Sequence, residues 1–201
     1  NFGGLGPSFA AANPARYRAV QSRTPLVYTA SAESKALYGQ FTFYPGGRDS
    51  GLRVTAGGRY TWDNKHMFRQ QNGATPFATP QIGDANFSRF TWNLMLGYDV
   101  ADGVSTYARV ATGYRSGGFN AGEANATGKL TPFNAEKVTS YEVGVKTELF
   151  NRRVRFNLAG YHNVYKDLAV SIPVPTATTG SFATIIGNAG RVTYTGFEAE
   201  L

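Results

Sequence analysis

The stretch Leu52-Arg-Val-Thr-Ala-Gly-Gly-Arg-Tyr-Thr-Trp-Asp63 decides the fold. Leu52, Val54, Ala56, Gly58, Tyr60 and Trp62 fall on one side of a two-residue period. Arg53, Thr55, Gly57, Arg59, Thr61 and Asp63 fall on the other, as in a strand with unlike faces. Helical spacing would set Arg53 and Gly57 beside Ala56 and Tyr60 and mix the two sides. A strand with one apolar and one polar face is therefore predicted.

Residues 89–100 repeat the pattern: Phe90, Trp92, Leu94, Leu96, Tyr98 and Val100 stand against Arg89, Thr91, Asn93, Met95, Gly97 and Asp99. Weaker versions occupy 35–44, 137–149, 153–166 and 191–201. Segment 104–115 is the least regular, because Tyr107 and Arg109 share a presumed inner side with Ala111 and Gly113. Seven strands follow, most of about ten residues or more, the length a tilted strand needs to cross a bilayer core. Strands of soluble domains more often run to about 5–6 residues.

The connections give this set of strands a direction. Residues 45–50 (Pro-Gly-Gly-Arg-Asp-Ser), 101–103 and 150–152 read as tight turns. Residues 66–85, 116–135 and 169–187 are rich in Asn, Gly, Thr and Pro and read as long loops, with a loop over 1–25 before them. Short turns alternating with long loops are unusual in a compact soluble domain. They are the rule in a transmembrane barrel, with the turns periplasmic and the loops extracellular. Aromatic residues near segment ends (Phe43 and Tyr44, Tyr60 and Trp62, Phe90 and Trp92, Phe150) fit interfacial girdles.

Composition agrees with a barrel wall. The 201 residues carry no cysteine, 24 glycines, 12 tyrosines, 14 phenylalanines and a net charge of +7. Mean hydropathy is −0.29, because strands that alternate lipid-facing and lumen-facing residues average near zero. No run of ~18 apolar residues offers a membrane helix, and no basic and apolar leader opens the chain. The absence of cysteine excludes a disulfide framework and cysteine-based metal or nucleophile sites. Arginines are scattered through the strands and no nucleic-acid motif occurs, so no nucleic-acid partner is expected. The basic excess suits a polar lumen and lipopolysaccharide phosphates.

Enzymatic readings find no support. His66 and His162 stand far apart without a clustered acidic partner. Gly122-Glu-Ala-Asn-Ala-Thr-Gly-Lys129 has five residues between its glycines and Leu130 where a phosphate loop needs Ser or Thr. Asn125-Ala-Thr127 matches a glycosylation triplet by pattern only. No catalytic residue, metal or cofactor is expected.

From about residue 35 the chain resembles the barrel of TonB-dependent receptors. The resemblance rests on Ala36-Leu-Tyr-Gly-Gln-Phe41, on Leu52 to Tyr60, and on Tyr107-Ala-Arg-Val-Ala-Thr-Gly-Tyr-Arg-Ser-Gly-Gly-Phe-Asn120. It continues in Phe133 to Lys146, Tyr161-His-Asn-Val-Tyr-Lys-Asp-Leu168, Gly187-Asn-Ala-Gly-Arg191 and Thr195 to Leu201. The resemblance implies an all-β, antiparallel segment of a larger, 22-stranded barrel over 26–201, without the plug domain. Seven strands alone would leave two open edges in hydrocarbon, so a fragment of a longer barrel is expected.

It also implies location in the outer membrane of a Gram-negative bacterium and TonB-dependent uptake of a scarce nutrient, foremost a ferric siderophore or other iron chelate. Implied partners are the TonB complex through the missing plug, the siderophore, and outer-membrane lipid and lipopolysaccharide. A passive porin without a plug shares every strand argument and remains the alternative; a soluble secreted β-domain binding carbohydrate is a third reading. Candidate ligand-facing residues are His66, Phe68, Arg69 and Gln70 in one loop and Arg115, Phe119 and Asn120 in the next. Arg53, Arg59, Arg89, Arg109, Arg115 and Arg155 form an inward set suited to anionic cargo.

Overall fold

A computed structural model describes residues 26–72, 76–122, 129–175 and 182–201. The expected loop over 1–25 and the Asn125 triplet lie outside the described residues. Seven strands form one sheet: β1 (Leu26–Phe43), β2 (Leu52–Asn72), β3 (Pro76–Ala101), β4 (Val104–Arg115), β7 (Glu136–Leu149), β8 (Val154–Pro175) and β9 (Phe182–Glu200). The two remaining strands, β5 (Gly118–Phe119) and β6 (Pro132–Phe133), pair as a short ribbon inside the β4–β7 connection. Every ladder is antiparallel and each strand of the large sheet pairs with its neighbour in sequence, so the topology is an up-and-down meander.

The register carries the two faces across the sheet. One row runs Phe43, Val54, Leu96, Ala108, Val143, Gly160, Phe197. An inward-facing row, set three residues along each strand, includes Gln40, Gly57, Asn93, Ala111 and Ser140. Leu37, Phe41, Leu94, Leu96, Val143 and Phe197 are all exposed, and they share the first face. An exposed apolar surface this continuous is stable only against lipid. Tyr60 and Trp62 stand on it with ring centroids 4.6 Å apart, and Phe90 and Trp92 flank them on β3.

The turns lie where sequence places them. Ser50 Oγ donates to the carbonyls of Pro45 (2.7 Å) and Gly47 (2.8 Å), closing the first. The third passes through Phe150, Asn151 and Arg152, all with positive φ. At the other end the structure corrects the sequence reading. Residues 66–85 and 169–187 are largely paired strand, with ladders running to Gln71↔Pro76 and Pro175↔Phe182. Above the membrane both faces meet water, so the two-sided pattern fades while backbone pairing persists. β1 likewise begins at Leu26, ahead of the periodic segment at 35–44.

Strand lengths set a height. β4 has 12 residues and β7 has 14, which at ~3.3 Å per residue and a ~45° tilt roughly matches a ~30 Å core. β2, β3, β8 and β9 have 21, 26, 22 and 19 residues and overshoot it. Two tall hairpins therefore stand on either side of a notch above β4 and β7.

Candidate functional site: the inner wall and its bridged rim

β3 and β4 stay paired only up to Asn93↔Ala111, which leaves the upper edge of β3 open towards the notch. The β4–β7 connection fills it. Leu130 donates its backbone N–H to the Ile82 carbonyl (3.1 Å) and is 1% exposed. Phe119 lies over Gly83, where a Cβ would come within 2.6 Å of the ring. Arg69, 0% exposed, donates to Gln81 Oε1 from Nε (3.0 Å) and Nη2, and to the Ala121 carbonyl from Nη1 (2.7 Å).

The same connection is tied to the other hairpin. Asn120 pairs its side-chain amide with the backbone of Ile186, donating to the carbonyl (2.8 Å) and accepting the N–H (2.7 Å). Asn188 does the reverse: its Oδ1 accepts the Asn134 N–H (2.7 Å), and Nδ2 donates to the carbonyls of Asn134 (3.0 Å) and Asp167 (2.8 Å). Asp167 has φ 57°, marking a local irregularity where β8 and β9 skip one residue each. The rim segment thus bridges the two hairpins, held to β2–β3 by the Leu130 backbone and the Arg69 guanidinium and to β8–β9 by side-chain amides that imitate a strand neighbour.

The candidate residues separate accordingly. His66 is on the outward face, its Nδ1 2.7 Å from Asp84 Oδ1 and its side chain 47% exposed. Phe68 shares that face, opposite Thr29 and Ile82, and Gln70 sits at an irregularity in the β2–β3 ladder. Arg69, Phe119 and Asn120 belong to the bridge. Arg115, 66% exposed, lies 3.7 Å from Glu136, whose Oε2 also accepts the Ala169 N–H (3.1 Å). Asn188, within Gly187-Asn-Ala-Gly-Arg191, has a bridging role that local sequence does not reveal, because its partner Asn134 lies 54 residues away.

Lower down, the inner wall carries charges of both signs. Arg53, Arg59, Arg89 and Arg109 project from β2, β3 and β4; Glu142, Glu198 and Glu200 project from β7 and β9. Tyr107 reaches across to β7, packing over Gly144 and donating to Glu142 Oε1 at 2.5 Å. At the lower rim Arg53 meets Asp99 (2.6 Å) and Arg155 meets Glu148 (2.9 Å). Among the described residues no group of three His, Asp or Glu side chains is arranged to hold a metal ion. The surface is suited to lining a polar passage and to holding charged groups within it.

Comparison with known proteins agrees with this geometry. A family model described as TonB dependent receptor-like, beta-barrel, matches residues 2–201. The pesticin receptor of Yersinia pestis is 30% identical over 174 residues, 85% of this chain and 23% of that protein. The chain thus spans about a quarter of the curated relatives it matches. Among solved structures, the ferric yersiniabactin uptake receptor from Yersinia pestis is similar with a TM-score of 0.68 and 26% identity, over 86% of this chain and 24% of that one. A siderophore receptor from Acinetobacter baumannii shares the fold at TM-score 0.60 and 16% identity, over 86% and 23% of the two chains.

Proposed function

Because the chain belongs to the TonB-dependent receptor β-barrel family, we propose that it forms part of the wall of an outer-membrane importer that takes up a ferric siderophore or another iron chelate. The observation that carries the reading is the register itself: the rows on one face are predominantly apolar, interrupted at positions such as Thr106, His162 and Thr195, while the other face holds arginines, carboxylates and tyrosines. A wall of that kind separates lipid from a polar passage. The iron-chelate reading is supported by the relative described as a ferric yersiniabactin uptake receptor, which is 26% identical.

In this reading 26–201 is barrel wall, and the two hairpins and their bridge form its extracellular rim. Arg115, Phe119 and Asn120 lie on the segment that cargo reaches first, whereas His66 and Phe68 face outward toward lipopolysaccharide. Energy enters through the TonB complex acting on a plug domain outside these residues. The cell location is the outer membrane of a Gram-negative bacterium.

The test is uptake of radioactive iron, supplied as different ferric chelates, by a deletion strain complemented with the full-length gene. Accumulation restricted to particular chelates and abolished by loss of TonB or by a protonophore is expected. Free passage of small solutes into liposomes, independent of TonB, would instead establish a passive pore.

A further inference from the structure

Three cations stand side by side on the outward face. In the register of β7, β8 and β9, Lys137 is opposite Lys166, and Lys166 is opposite Arg191. Lys137 shares the face of Tyr141 and Val143, both exposed, and Arg191 shares that of Phe197. Like charges directly opposite in a ladder repel, so a row of three runs against the pairing a sheet prefers. One carboxylate answers it: Asp167 Oδ2 lies 3.5 Å from Lys137 Nζ. Lys166 and Arg191 are exposed and have no ion-pair partner among the described residues. β7 sets the depth of the row. Its 14 residues from Glu136 to Leu149 rise about 30 Å at ~3.3 Å per residue and a ~45° tilt, which puts Lys137 at the outer boundary of the ~30 Å core.

The side chains just beneath the row are polar as well. Thr139 and Thr193 flank Val164, and one step lower Tyr141, His162 and Thr195 lie in register, with the Tyr141 and His162 rings 6.4 Å apart. His162 Nδ1 lies 2.7 Å from Thr195 Oγ1, which leaves Nε2 without a partner among the described residues. On β2 and β3 the same face carries Val54, Ala56, Trp92, Leu94 and Leu96. Plain hydrocarbon offers the polar groups of β7–β9 nothing to bond. We infer that the outward face of β7–β9 binds lipopolysaccharide: Lys137, Lys166 and Arg191 hold the phosphates of its lipid A, and His162 and the threonines bond the ester, amide and hydroxyl groups at the head of its acyl chains. The row spans two interstrand spacings, about 10 Å, a width suited to a head with two phosphates, where a glycerophospholipid offers one. The inference rests on the outer-membrane location and is independent of the cargo.

The experiment uses the full-length receptor in detergent and native mass spectrometry, with lipid A bearing both phosphates, dephosphorylated lipid A and phosphatidylglycerol as probes. Wild type is compared with the triple variant Lys137→Gln/Lys166→Gln/Arg191→Gln and the charge-conserving Lys137→Arg/Lys166→Arg/Arg191→Lys, each checked for heat-modifiable migration. Wild type is expected to bind phosphorylated lipid A at least tenfold more tightly than either other lipid. The glutamine variant is expected to lose that preference and the conserving variant to keep it. His162→Leu/Thr195→Val, which retains the cations, is expected to weaken lipid A binding about threefold. Equal binding of phosphorylated lipid A and phosphatidylglycerol by wild type would overturn the proposal, and so would a folded glutamine variant that still discriminates between the lipids. The comparison of lipids on wild type decides the matter without any variant. Recovery of the receptor in outer-membrane fractions tests the location separately: a receptor found there that does not discriminate sinks the lipid site alone, and one absent from those fractions sinks the location.

Discussion

At Gly144 and Gly196 the absence of a side chain is what the wall requires. A Cβ at Gly144 would lie 2.7 Å from the Tyr107 ring, and one at Gly196 would lie 2.6 Å from Tyr161 Oη. Each tyrosine reaches across to the neighbouring strand's glycine and covers backbone that would otherwise be bare. Replacing Gly144 by valine displaces Tyr107 and breaks its bond to Glu142, at a cost of about 1–3 kcal/mol. Urea unfolding of the full-length protein in lipid vesicles measures this, and Gly39, which has open space around it, serves as the control site. Asn120 acts by a different route. Asn120→Leu removes both bonds to Ile186 and leaves that backbone without its side-chain neighbour, so amide exchange at Ile186 is expected to rise at least tenfold.

At the scale of elements, the alternation of polar and apolar residues located each membrane-crossing portion, because lipid on one side and polar surroundings on the other enforce a two-residue period. It stopped at the membrane boundary. Phe68 and Ile82 pair as firmly as Val54 and Leu96, yet the residues around them are mixed, and the hairpin arms read as loops. The rim bridge was illegible for another reason: Asn120 meets Ile186 and Asn188 meets Asn134 across 66 and 54 residues of sequence, and nothing local marks such a pairing. The phase of alternation has a direct consequence in β7. Val143→Arg places a charge on the lipid face and is expected to cost ~2–4 kcal/mol and reduce the folded, heat-modifiable fraction. Ser140→Arg, on the inner face, is expected to leave that fraction unchanged. In the 150–152 turn, Asn151→Gly is expected to stabilise by up to ~1 kcal/mol, since glycine adopts φ 56° without steric cost.

Among the described residues the seven long strands form one continuous sheet, with β1 and β9 each paired on a single side. An open edge in hydrocarbon leaves backbone groups unsatisfied, so the sheet requires further strands to close it. The rim bridge couples two hairpins that would otherwise stand apart, with the inward arginines below it. The most direct test of this arrangement is a scan of single cysteines through residues 138–147 of the full-length receptor in lipid, each spin-labelled and probed with oxygen and with a water-soluble nickel chelate; no native cysteine in 1–201 interferes. Labels at 141, 143 and 145 are expected to meet oxygen and exclude nickel, with 140, 142 and 144 shielded from oxygen. Equal nickel access at all positions, or oxygen access without a two-residue period, would contradict a membrane wall.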